Sequence, residues 1–141
     1  MKGFHMQHCA FTTVRKANRV LFRRYQEALT PTGISIVQLS ILRALERHGP
    51  LPLVRLADDL AMERTSLYRT ITPLVEACMI DLSKAESGRT KIAELTSEGQ
   101  KTIERVMPYW AKAQEQILSE VGDGDWQAVH KMLSAIANLK C

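Results

Sequence analysis

A short stretch of this chain has the residue types and spacing to meet a polyanion that also offers hydrogen-bonding edges. Thr65, Ser66, Tyr68, Arg69 and Thr72 are interleaved with Leu67, Ile71 and Leu74. At 100° per residue a helix turns these two sets to opposite sides. Arg69 on the polar side can donate two parallel hydrogen bonds to O6 and N7 of a guanine. Thr65 and Ser66, with Arg64 beside them, fall near the start of that helix, where hydroxyls and unpaired N–H groups suit phosphate oxygens. A second basic group, Lys84, Arg89 and Lys91, follows shortly after. No nucleophile–base pairing, glycine-rich phosphate loop or paired-carboxylate pattern occurs, so no catalytic residue and no cofactor are expected. His5, His8 and Cys9 offer one spacing of three near the N-terminus, too little for a metal site.

The elements that must position these residues follow from periodicity and punctuation. Phe11, Val14, Leu21, Phe22, Tyr25 and Leu29 fall at helical spacings, which predicts a helix from about Met6 to Leu29, ended by Thr30-Pro31-Thr32-Gly33. Ser35 with Gln38 reads as a capping box, and Ile34 with Leu39 as its hydrophobic staple. That second helix runs to Gly49-Pro50. Leu53, Leu56, Ala57 and Leu60 mark a short third helix. After a turn near Met62-Glu63 comes a fourth, whose apolar stripe is Leu67, Ile71, Leu74 and Cys78. Pro73 within it removes one backbone hydrogen bond. Met79–Lys84 and Arg89–Leu95 alternate as two strands around Ala85-Glu86-Ser87-Gly88. A long helix from Thr96 carries Ile103, Val106, Met107, Trp110, Ile117 and Leu118, with Pro108 interrupting its middle. Gly122-Asp123-Gly124 breaks it. Asp123 or Asp125 is the expected cap of a last helix with Trp126, Val129, Met132, Leu133, Ile136 and Leu139 along one side.

Composition narrows the classes. The 141 residues are 45% hydrophobic and 24% charged, ordinary for a globular domain. No apolar run approaches the length of a membrane span, and the N-terminus lacks the apolar core of a signal peptide. Three widely spaced cysteines do not make a disulfide framework and suit a reducing cytoplasm. The net charge of +4 is unevenly placed. Residues 1–26 hold six basic side chains and no acid, whereas residues 51–95 hold six basic and seven acidic ones, a net of −1.

A short helix, a tight turn, a second helix with a polar outer face and then a two-stranded hairpin form a winged helix-turn-helix. The major groove of DNA is about 12 Å wide and admits one helix, while a basic hairpin beside it can reach phosphates or the minor groove. The expected fold is mainly α with a small β-hairpin, and the candidate contacts to double-stranded DNA are Arg64, Thr65, Ser66, Tyr68, Arg69, Thr72, Lys84, Arg89 and Lys91.

The span Gly49 to Gly99 carries Pro50-Leu51-Pro52-Leu53, Leu56-Ala57, Arg64-Thr65-Ser66-Leu67-Tyr68-Arg69-Thr70, Pro73-Leu74, Gly88-Arg89-Thr90-Lys91 and Leu95-Thr96-Ser97-Glu98-Gly99. In that order it resembles the multiple antibiotic resistance regulator (MarR) family. Leu29–Ser35 and Pro108–Gln114 extend the likeness over nearly the whole chain. The resemblance implies a homodimeric transcriptional regulator, most simply a repressor, on a near-palindromic operator. It implies one domain over residues 1–141, with a DNA-binding lobe over 35–95 and a helical dimerisation region from 6–29 and 97–140. It also implies a small aromatic or anionic effector between the two, with Tyr25, Met107 and Trp110 as candidate walls and Arg15 or Arg19 as candidate carboxylate partners. Two positions depart from the family pattern. Ser87 stands where an acidic residue usually braces the wing, leaving Glu86 as the substitute, and Glu63 stands where Asp or Ser commonly caps the recognition helix.

Two other readings come from different classes. Cys9 could make the protein a thiol-based redox sensor. Aligning Arg19 and Tyr25 with the peroxide-sensing branch of the family, however, puts Phe11 at the reactive position and Arg15 where a helping tyrosine is expected. A winged helix can also serve as a protein-interaction adaptor that never touches DNA.

Overall fold

Local signals set most of the element boundaries. The computed structural model describes residues 8–140, apart from the side chain at position 123. His5, Lys2 and Cys141 lie outside the described residues, as does any cap contribution from Asp123. The first helix, α1 (Ala10–Leu29), begins with Cys9 in the cap position rather than at Met6, and a 3-10 turn (Thr30–Thr32) follows it. At the start of α2 (Ile36–His48), Ser35 Oγ accepts from the Gln38 N–H and Gln38 Oε1 accepts from the Ser35 N–H, each at 3.0 Å. The capping box and the staple between buried Ile34 and Leu39 are therefore both formed. Gly49, with φ 74°, ends this helix in a conformation that suits glycine.

The next elements are β1 (Leu51–Pro52), α3 (Leu53–Asp59), α4 (Arg64–Glu76), β2 (Ile80–Lys84) and β3 (Lys91–Leu95). Helix α3 closes with hydrogen bonds from the Met62 N–H to the Ala57 carbonyl and from the Ala61 N–H to that of Asp58. Helix α4 closes in the same way, from Met79 to Leu74 and from Cys78 to Val75. Both are Schellman turns, whose left-handed position favours glycine. Here Ala61 (φ 51°) and Cys78 (φ 62°) fill those positions. The expected burial of Cys78 is thus corrected. The residue lies beyond the last turn of α4, after the chain has reversed, and it is exposed. Pro73 is accommodated inside α4, and Pro108 inside α5 (Ser97–Val121), which runs unbroken. The last helix, α6 (Asp123–Ala137), is preceded by Gly122 as its cap, with no side-chain cap bond, so Asp125 does not serve there.

The hairpin is part of a three-stranded antiparallel sheet in the order β1-β3-β2. Leu51 faces Ala93 and Pro52 faces Ile92, a pairing too short for alternation to announce in the sequence. The register of β2 against β3 sets Lys84 opposite Lys91. Arg89 and Thr90 belong to the turn rather than to β3.

One core joins α2, α3, α4, the sheet and the start of α5, with Leu42, Leu56, Leu67, Ile71, Leu74 and Ile80 essentially inaccessible. A smaller one holds Leu29, Ile34, Leu39 and Val106. Met79 and Met107 pack against both. The first turn of α5 is seated directly on the end of α4. Thr96 Oγ1 donates to the Cys78 carbonyl at 2.6 Å and accepts from the Gly99 N–H at 3.0 Å. A Cβ at Gly99 would collide with the Met79 carbonyl oxygen and with Leu95. By contrast, none of the described side chains of α6 is buried, and Val129, Met132, Leu133 and Ile136, with Leu139 beyond its end, are exposed, as are Phe11, Val14, Val20 and Phe22 of α1. Among the described residues no single helix is long and apolar enough to cross a membrane.

Candidate functional site

Packing alone fixes the orientation of α4. Leu67, Ile71 and Leu74, each 1% exposed, hold one face in the core. That leaves Arg64, Thr65, Ser66, Tyr68, Arg69 and Thr72 on the solvent side, all exposed. The Thr72 hydroxyl donates to the Tyr68 carbonyl at 2.7 Å and keeps its lone pairs free to accept. Glu63 occupies the cap position of α4 with extended backbone, but its side chain makes no cap hydrogen bond. The N–H groups of the first turn therefore stay available to an acceptor.

Lys84, Arg89 and Lys91 are exposed on the hairpin. Its turn is closed by the Gly88 N–H to the Ala85 carbonyl at 2.8 Å and the Ala85 N–H to the Thr90 carbonyl at 2.7 Å. Among the described residues the ion pairs are Arg24–Glu120, Arg43–Glu46 and His48–Asp59. None engages the six cationic or hydroxyl side chains of α4 or the three cations of the hairpin, and Glu86 does not brace Arg89. The helix and hairpin thus present unneutralised donors.

A second region forms where α1, α2 and α5 meet. The Tyr25 and Trp110 rings stack with centroids 6.3 Å apart at 12°, and Tyr25 Oη is hydrogen-bonded to Gln114 Oε1. Burial pushes the Tyr25 hydroxyl above its usual pKa. A cavity of about 240 Å³ is lined by Ile36, Leu39, Ser40, Arg43, Arg47, Leu60, Met107 and Trp110. An adjoining one, of about 420 Å³, shares Ile36, Ser40 and Leu60 with it and includes Phe22 and Tyr25. The structure therefore stacks Tyr25 on Trp110 and sets Met107 and Trp110 on one cavity wall. It does not bring Arg15 or Arg19 to them. Arg15 is exposed one helical stretch of about 15 Å before Tyr25, and Arg19 lines a separate shallow groove with Phe22, Arg23 and Gln26. The cations that do line the cavity are Arg43 and Arg47, which sequence reading missed. With Ile36 and Ser40 they run i, i+4, i+7 and i+11, one helical stripe of α2, but the opposite wall comes from α5 and is invisible to local periodicity.

Cys9 is exposed at the N-terminus of α1. The Thr12 N–H and then the Thr12 side chain and Phe11 N–H hold its thiol below the ordinary value, although no cap hydrogen bond is formed. His48 pairs with Asp59 across 3.6 Å, and the His130 ring lies 5.7 Å from that of Trp126.

An exposed polar helix braced by a shorter one, with a basic hairpin beside it, defines a winged helix-turn-helix protein. No protein-family model matches the sequence. Over 115 residues, 82% of this chain and 84% of its relative, the sequence is 28% identical to the HTH-type transcriptional regulator YwoH of Bacillus subtilis. The Mycobacterium tuberculosis transcriptional regulator MosR, solved in complex with DNA, superposes with a TM-score of 0.81 at 28% identity, covering 92% of this chain and 94% of that one. NadR, solved with 4-hydroxyphenylacetate, superposes at 0.78 with 23% identity, covering 94% and 96%. These structural neighbours are MarR-family regulators. The chain shares their winged helix-turn-helix fold, and the relatives it matches are transcriptional regulators rather than enzymes.

Proposed function

We propose that the chain is a cytoplasmic repressor that binds a near-palindromic DNA operator as a homodimer and is released by a small anionic aromatic molecule. The observation that carries the DNA reading is the exposed, unpaired face of α4 beside an unpaired basic hairpin. In this reading Arg69 reads a guanine edge, Thr65, Ser66, Tyr68 and Thr72 contact neighbouring bases and phosphates, and Arg64 holds phosphate near the helix start. Lys84, Arg89 and Lys91 grip the backbone or the adjacent minor groove. Two such helices in one dimer enter successive major grooves about 10 bp apart. The dimer reading is supported by the rows of apolar side chains that α1 and α6 leave exposed, the kind of surface that marks association sites. Residues 6–29 and 97–140 would supply that interface, and 35–95 the DNA-binding lobe.

The effector reading is supported by the stacked aromatic pair and the cationic cavity beside it, at the joint between these two regions. NadR with its bound 4-hydroxyphenylacetate offers a precedent for such a ligand on this fold. Fluorescence anisotropy with DNA from upstream of the gene, repeated at several salt concentrations, tests the central claim. Specific binding that weakens steeply with salt is expected, and absent or salt-independent binding overturns it in favour of an adaptor. Light scattering should return a dimer at micromolar concentration. The lowered thiol pKa of Cys9 supports one further reading, redox control. It predicts that peroxide releases DNA from the wild type and not from Cys9→Ser, and an identical response in both removes it.

A further inference from the structure

Arg43 stands out among the cationic side chains because it is half-buried and spends one of its donors on a poor acceptor. Its Nη1 donates to the Met107 sulfur at 3.1 Å, a weak acceptor, and its Nε lies 3.4 Å from Glu46 Oε1. The same guanidinium lines the cavity beneath Trp110. Glu46 does not end there, since its other oxygen accepts from Gln100 Nε2 at 2.9 Å. Gln100 is one residue beyond Gly99, in the turn of α5 that sits on the Met79 carbonyl at the end of α4. An unbroken chain of contacts, Met107–Arg43–Glu46–Gln100, thus runs from the cavity to the seat of the exposed helix and the hairpin.

We propose that Arg43 is the carboxylate-binding residue of the cavity and that it binds by exchanging Met107 Sδ and Glu46 for the ligand, so that occupancy is passed through Glu46 and Gln100 to the first turn of α5. This inference rests on the effector reading above and adds the residue that senses the anion and the route by which it is sensed. A thioether is the contact most readily given up for a carboxylate, and the Glu46 pair, long at 3.4 Å and partly solvated, is exchanged with it for one charge-assisted, two-bonded pair. Arg47, on the same stripe, adds a second positive charge, while the indole of Trp110 supplies a flat wall for a ring. Once Arg43 turns to the ligand, Glu46 loses its cation and its hold on Gln100 is altered. Only a contact that differs between the free and bound states can shift the balance between DNA-competent and incompetent forms.

The test uses 4-hydroxyphenylacetate and benzoate as probes with the full-length protein, read by quenching of Trp110 fluorescence in a Trp126→Phe background. Quenching at low millimolar probe is expected, weakened at least about tenfold in Arg43→Met and less in Arg47→Met. Gln100→Leu, which leaves the cavity walls intact, should bind the probe as wild type does, yet the probe should no longer weaken DNA binding in anisotropy. The proposal is overturned by absence of binding to either probe, by equal binding in Arg43→Met, or by an undiminished DNA response in Gln100→Leu. Failure of the wild type to bind DNA at all, measured first without probe, refutes the regulator reading instead. Circular dichroism matching wild type confirms that each variant is folded.

Discussion

Helices α4 and α6 are both amphipathic and of similar length, yet their apolar stripes meet different fates. In α4 the stripe of Leu67, Ile71 and Leu74 is sealed inside the chain's own core. In α6 the stripe is just as regular, but Met132 is 65% and Val129 45% exposed. Period alone cannot tell these cases apart, because it reports that a face is apolar and not what covers it. The chain's own elements cover α4 and so aim its polar side outward. Among the described residues none seals the stripe of α6, where Trp126, Val129 and Leu133 line an open groove with α1 and α5, so its stability is tied to whatever covers it, which in the proposed reading is a second copy.

Five substitutions would break or sharpen that contrast. Leu67→Ala should cost about 2–5 kcal/mol in thermal or urea unfolding, since a fully packed leucine leaves a cavity. If the loss is near zero, α4 is not held as described. Leu133→Glu on α6 should weaken self-association by about 1–3 kcal/mol, the penalty for a poorly paired polar group in an apolar contact, seen in sedimentation as more monomer. An unchanged association constant would mean that α6 is not in the interface. Arg69→Ala should lower operator affinity by about 1–3 kcal/mol and relax the preference at one base position, while unfolding stays as in wild type. Smallest are Ala61→Gly and Cys78→Gly, each expected to raise stability by up to about 1 kcal/mol, because glycine adopts the left-handed turns bracketing α4 without steric cost. A loss in either would assign the native side chain a contact worth more than the strain.

Much of the DNA-reading unit was legible before the structure. The Ser35–Gln38 box, the Ile34–Leu39 staple, the two-sided pattern of α4 and the basic hairpin all follow from contacts between residues close in sequence. The misreadings share a cause of the opposite kind. Cys78 continues the arithmetic of Leu67, Ile71 and Leu74, but the helix has already ended in a Schellman turn that no glycine marks. The strand Leu51–Pro52 exists only through its partner Ala93, forty residues away. Arg43 and Arg47 became visible as cavity residues only when α5 closed over their stripe with Met107 and Trp110. Arg15 and Arg19 were drawn in by their charge, and charge without a partner across the fold does not locate a pocket.

The facing pair Lys84 and Lys91 gives the hairpin a built-in tension. Two ammonium groups set directly opposite on adjacent strands repel, so the free wing is least settled in dilute salt, where repulsion is unscreened. A polyanion laid between them turns that repulsion into shared attraction. In the proposed reading the wing is therefore a part that firms up on contact with DNA, and its amides should exchange with solvent fastest under the ionic conditions in which a phosphate backbone would hold it most tightly.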